Sequence, residues 1–163
     1  MDDQARSREK SSPSPSRTET DVPPIESSIE TVRSGDVVIQ SEDDVLRARQ
    51  VARTVAEEVG FRLTDVTRIV TAVSELARNI HLYAADGVMH WREIRQADRT
   101  GVELIFDDDG PGIDDVDAAL RGEYSTSDGM GRGLRGTKTL MDHIEITSDA
   151  GDGTTITIRK WLR

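Results

Sequence analysis

Residues 129–140 read GMGRGLRGTKTL, and the fold turns on what these glycines are for. Gly131, Gly133 and Gly136 spell a literal G-x-G-x-x-G, followed by a stretch of helical character. As a dinucleotide-binding turn the motif needs a hydrophobic strand before it and parallel strands after it. The residues before Gly129 are EYSTSD, polar and turn-prone, and the stretch from Gly133 to Arg163 is too short for that architecture. Asp149 and Asp152 lie at a plausible distance for a ribose-binding acid, yet they flank an expected hairpin turn rather than a strand end. A P-loop is excluded because G-K-[ST] occurs nowhere. What remains is physical. Gly129, Gly131 and Gly133 let backbone N–H groups approach a ligand, and they precede a helix N-terminus, which favours an anion. Arg132 and Arg135 add positive charge. The stretch reads as a polyphosphate-binding element.

Two further segments carry chemistry. In SELARNI, Glu75 and Asn79 are one helical turn apart and share a face that runs beside Ala72, Leu76 and Ile80. A carboxylate and an amide oxygen so placed suit a hard cation or its waters, and the carboxylate can accept a proton from an attacking hydroxyl. In IFDDDGPGI, residues 105–113, an apolar strand runs into three acids and a Gly-Pro-Gly turn. Strand alternation sends Asp108 and Asp109 to opposite sides, so the segment offers one inward carboxylate. Such a group accepts a hydrogen bond from an exocyclic amine such as that of adenine, while Gly110 and Gly112 let a base sit close.

SELARN, DDGPG and GMGRGL, in this order and with the late GDGT, resemble the N, G1 and G2 boxes of the GHKL superfamily of ATPases and kinases, whose ATP-binding domain is the Bergerat fold. Within it the chain is most similar to the RsbT-type serine/threonine switch-protein kinases of bacterial stress signalling. ELARNI followed by LYA, DDGPGI, YSTSDGMGRGLRG, LMD and the final KWLR carry that similarity from about Asp36 to Arg163. Related anti-sigma-factor kinases share the boxes and fit the flanks less well. The resemblance implies that Glu75 is the general base and Asn79 the Mg²⁺ ligand. It implies that Asp108 meets the adenine amine, supported by Thr154, with Gly110 and Gly112 shaping the base pocket. It also implies that Gly129, Gly131 and Gly133 wrap the phosphates of ATP, beneath a mobile lid from about Asp114 to Asp128. Arg132 and Arg135 are added on charge alone. The implied activity is transfer of the ATP γ-phosphate to STAS-domain antagonist proteins of a stressosome, and on release activation of a PP2C-type phosphatase. Two alternatives stand beside it: an ATP-binding anti-sigma factor that also phosphorylates its antagonist, and a nucleotide-gated interaction module without catalysis.

The rest of the sequence bounds these expectations. Residues 1–34, rich in Ser, Pro, Thr and charge, read as a disordered extension to an ATP-binding domain at 35–163. Strands are expected at 36–41, 88–96, 102–107, 144–148 and 154–161. Helices are expected from the Ser41 cap to Gly60, from a Thr64–Asp65 cap to about Tyr83, over 116–121 and over 133–143. Helices and strands do not alternate, so the pattern is α+β: two layers, a mixed but mostly antiparallel sheet with helices on one face. The formal net charge is −10, which disfavours nucleic acid and anionic membranes as partners. The chain has no cysteine, and His81, His90 and His143 lack metal-site spacing. Without a membrane-length apolar run or a secretory-type N-terminus, the expected location is the cytoplasm.

Overall fold

The computed structural model describes residues 28–123 and 130–163, with backbone alone at 130–132. Strand β1 (Glu30–Ile39) leads into helices α1 (Glu42–Val59) and α2 (Leu63–Asn79), and α2 runs on as a π-helical turn, Ile80–Ala84. Strands β2 (Gly87–Gln96) and β3 (Arg99–Asp108) follow, then α3 (Val116–Arg121), α4 (Met130–Leu140), β4 (His143–Ser148) and β5 (Thr154–Trp161). The sheet order is β1-β2-β3-β5-β4. Each of its four ladders is antiparallel, so the mixed component expected of the sheet is absent among the described residues. The two-layer α+β architecture is as the sequence indicates.

One face of the sheet makes the core. Val37, Ile39, Met89, Val102, Leu104, Phe106, Ile156 and Ile158 alternate inward and meet Val45, Ala48, Ala52, Val55 and Ala56 of α1 and Ile69, Val73, Leu76 and Ala77 of α2. Burying each large aliphatic side chain contributes roughly 1.5–3 kcal/mol, which is why period-2 and period-3.6 patterns decide the layers. The opposite face carries charged pairs beside the apolar Val38, Ile94, Ile105 and Trp161. Asp36 pairs with His90 at 2.5 Å, and the buried Glu103 carboxylate takes Arg159 at 2.6 Å and Arg92 at 3.2 Å. No helix among the described residues is long and apolar enough to cross a membrane.

Local signals explain most boundaries. The Ser41 hydroxyl accepts from Asp44 N at 3.2 Å, and Gly60 ends α1 in the left-handed region at φ 105°. The start of α2 differs from expectation. The N–H groups of Asp65 and Val66 both bond to the Arg62 carbonyl, so Arg62 is the cap and Thr64 lies inside the first turn. Strand β1 also starts earlier, at Glu30 rather than Asp36. Pairing with β2 reaches Arg95, and Arg33 ties the strand down through Glu58 and Glu93, both at 2.5 Å, while stacking over Trp91. Cross-strand pairing here outweighs the weak strand propensity of RSG. The β2–β3 turn is tighter than expected, with Ala97 and Asp98 alone between Gln96 and Arg99. Helix α4 spans Met130–Leu140, not 133–143, and His143 opens β4.

Candidate functional site

Three elements converge where α2 passes the end of β3. The last residue of α2, Asn79, lies beside Leu76, Ile80, Tyr83 and Ala84 on one wall of an open pocket. Phe106 and Asp108 of β3, Pro111, Gly112 and Ile113 of the following loop, Thr154 and Ile156 of β5 and Leu134 of α4 complete it. The unfilled space, mouth included, is about 440 Å³. Flat apolar walls with one carboxylate, one amide and one hydroxyl at the edges suit an aromatic base that carries a hydrogen-bond donor.

The three acids separate as alternation requires. Asp108 is half-buried in the pocket, while Asp107 and Asp109 are exposed and Asp107 takes the Thr155 hydroxyl at 2.7 Å. Asp108 Oδ1 accepts from Gly110 N at 2.9 Å, and the Thr154 N–H also donates to this carboxylate. Burial nevertheless pushes the Asp108 carboxyl above the usual aspartate range, and Asp107 and Asp109 push the same way. Folding therefore disfavours the ionised form. Its stability contribution is full while the proton is bound, and it is lost as pH rises through the raised folded value. Asp108→Asn keeps an oxygen for the two N–H donors and removes the charge. At pH 7 the free variant is expected to melt above the wild type, with the gap closing on acidification through the raised carboxyl pKa. Calorimetric melts across that range check this, and a gap independent of pH would assign the gain to something other than the charge.

A clasp of two loops holds the pocket's base. Gly151 N donates to Pro111 O at 2.8 Å, and Ile113 N donates to Ser148 Oγ at 2.8 Å. Gly112 (φ 77°) lies against the Asp149 carbonyl and Gly153 (φ 84°) against the Asp108 carbonyl, so closely that neither position has room for a Cβ. Both therefore require glycine for backbone angle and for contact. The late GDGT is thus the other half of the DDGPG turn. Ser148, absent from the sequence-derived set, stands between the halves. Its hydroxyl also reaches Gly153 O and Thr154 Oγ1, both at 2.9 Å. A strand-ending serine carries no signal that distinguishes it from a solvated one.

Glu75 and Gly133 meet beside the pocket. A Cβ built on Gly133 would lie 3.1 Å from Glu75 Oε2 and 3.7 Å from the Asn79 side-chain amide. The absence of a side chain at Gly133 thus lets α4 pack on the face of α2 that carries both groups. Glu75 is itself outside the pocket lining, one turn before Asn79, with Arg78 Nη1 3.9 Å from its Oε1. Gly131 and Arg132 fall in the first turn of α4, and Gly129 lies outside the described residues, as does part of the expected lid. Arg135 packs over Gly122 at the end of α3 and is not among the pocket-lining residues. No cluster of three or more His, Cys, Asp or Glu among the described residues could hold a metal unaided.

Residues 39–160 match the model of the histidine kinase-like ATPase domain. The chain belongs to this family. The match runs from the end of β1 to β5 and so contains the pocket, the clasp and the Glu75–Gly133 contact. The chain is 46% identical over 127 residues to the serine/threonine-protein kinase RsbT of Bacillus subtilis (strain 168), covering 78% of the chain and 96% of that relative. It is 33% identical over 122 residues to the anti-sigma F factor of Priestia megaterium, covering 71% of the chain and 82% of the relative. Among solved structures it is similar to the RsbU and RsbW domains of Rv1364c from Mycobacterium tuberculosis, with a TM-score of 0.56 and 21% identity over 80% of the chain. The chain spans 33% of that solved protein, and the likeness concerns the fold.

Proposed function

We propose that the protein is an ATP-dependent serine/threonine kinase that phosphorylates STAS-domain antagonist proteins in a partner-switching module. The observation that carries the reading is the convergence of Asn79, Asp108 and Thr154 on one apolar-walled pocket, with Glu75 against Gly133 at its side. Ile80, Phe106, Ile113 and Ile156 would hold the adenine ring, and Asp108 would accept from its amine. The triphosphate would run toward the first turn of α4, which carries Gly131 and the charge of Arg132, with Gly129 just ahead of them in the sequence and Gly133 packed against Glu75.

The donor set fits Mg²⁺ held mainly by the nucleotide. Asn79, on the pocket wall, would supply a protein oxygen to the cation. The cation supplies charge neutralisation on the phosphates. Glu75 accepts the proton of a partner serine or threonine as its oxygen bonds to the γ-phosphorus. The bond from that phosphorus to the β–γ bridging oxygen breaks, and ADP leaves. The remaining work is positioning.

The 46% identity to a serine/threonine-protein kinase over most of the chain supports transfer as the activity. The identity to anti-sigma F factors supports a second reading, an anti-sigma factor that also phosphorylates its antagonist. Release of the kinase to engage a PP2C-type phosphatase, and residence in the cytoplasm, belong to the first reading. Labelled ATP with Mg²⁺, the full chain and a panel of STAS-domain proteins from the same organism test it. Label on serine or threonine of one STAS protein, lost with Asn79→Ala, is the expected result. ATP binding without transfer to any partner would reduce the protein to a nucleotide-gated module. Stable capture of a sigma factor would favour the second reading.

A further inference from the structure

Ser148 Oγ has three neighbours at hydrogen-bond distance: Ile113 N at 2.8 Å, Gly153 O at 2.9 Å and Thr154 Oγ1 at 2.9 Å. A hydroxyl offers one proton and two lone pairs, which three partners use completely. The Ile113 N–H can only donate, so it takes a lone pair. The Gly153 carbonyl can only accept, so it takes the proton. The bond to Thr154 must then use the second lone pair and the proton of Thr154. Thr154 lines the pocket together with Asp108. With its proton spent on Ser148, the Thr154 hydroxyl has only lone pairs left for a ligand. The ionised Asp108 likewise offers only lone pairs.

We propose that Ser148 is a specificity-determining residue: by fixing the proton order of the Ser148–Thr154 pair, it makes the polar end of the pocket accept only a hydrogen-bond donor, and so selects a purine bearing an exocyclic amine over one bearing a carbonyl at that position. This rests on reading the pocket as the base pocket of a nucleotide. Ser148 acts through Thr154 and is not itself among the pocket-lining residues. Without the Ser148 hydroxyl, Thr154 is free to rotate and donate. A base carbonyl, otherwise faced by lone pairs, then has a partner.

The test is the ratio of affinities for ATP and inosine triphosphate, which exchanges the exocyclic amine for a carbonyl and the adjacent ring nitrogen from acceptor to N–H donor, so that the effect of the Thr154 proton is read from the change in the ratio between variants. It is measured by calorimetric titration on the full chain, with melts to verify folding. The wild type is expected to prefer ATP. Ser148→Ala should shrink the ratio by about tenfold, the worth of one hydrogen bond in a desolvated site. Ser148→Thr, which keeps the hydroxyl, should retain the preference. In Ser148→Ala combined with Thr154→Val no donor is available, and the gain for inosine triphosphate should vanish. A merely structural role predicts that Ser148→Ala weakens both nucleotides equally, with an unchanged ratio. That result would overturn the assignment while Asp108 kept its role. If Asp108→Ala leaves ATP binding intact, the pocket does not hold the base, and both readings fall together.

Discussion

With Glu75 as the proposed general base, Glu75→Ala is expected to lower phosphate transfer to the proposed STAS-domain substrate by about 10²–10⁴-fold, the usual contribution of such a positioned group. Binding of ATP should persist. Glu75 stands outside the pocket lining, one helical turn before Asn79, and packs against Gly133. A carboxylate there lies close to the path proposed for the triphosphate, so removing it relieves like-charge repulsion. The affinity of the variant for ATP should therefore equal or exceed that of the wild type, while turnover collapses. Single-turnover transfer alongside a binding titration separates the two effects. Normal transfer by the variant would remove Glu75 from the mechanism, and loss of both properties would make it a structural contact between α2 and α4.

Gly153→Ala should be the most damaging single methyl in the site. At φ 84° an L-residue is strained, and the added carbon would meet the Asp108 carbonyl and lie 3.1 Å from Asp109 Cα. Backbone strain of about 1–3 kcal/mol adds to a clash that only movement of β5 away from β3 can relieve, for a total of about 3 kcal/mol or more. That movement would carry Thr154 from its place opposite Asp108 and disturb Ser148, whose proton Gly153 O accepts. ATP binding should be lost with the stability. Gly151→Ala is the matched control. Its φ of 87° is just as unfavourable, but a Cβ there meets nothing within 4 Å. The control should cost about 1 kcal/mol and leave the pocket intact. Urea denaturation of both variants gives the comparison. Equal losses would mean that backbone angle alone, and not the clasp, requires glycine at 153.

Much of this architecture was readable because the physics behind it is local. The Ser41 cap, the Gly60 stop, the inward period of Val37 and Ile39 and the helical period of Ile69, Val73 and Leu76 depend on neighbours within a few residues. So does the inward turn of Asp108 between two exposed acids, which needs nothing beyond strand alternation. Boundaries that depend on distant partners read less well. Strand β1 reaches Glu30 because β2 and Glu58 hold it there, and α2 starts at Leu63 because the Arg62 carbonyl collects two N–H groups. Arg135 shows the limit of reasoning from charge, since its side chain lies over Gly122 at the end of α3.

The residue types and their order along the chain were enough to separate this protein from dinucleotide and P-loop folds. They also marked Glu75, Asn79 and Asp108, because carboxylate, amide and glycine-turn chemistry is written in short motifs, and Thr154 followed from the family resemblance those motifs carry. The grip of GDGT on DDGPG, the packing of Gly133 against Glu75 and the three-way hydrogen bond of Ser148 were decided in three dimensions. Each joins segments far apart in sequence at contact distance, and contact distance is set by how the sheet and helices pack, a property no single segment carries.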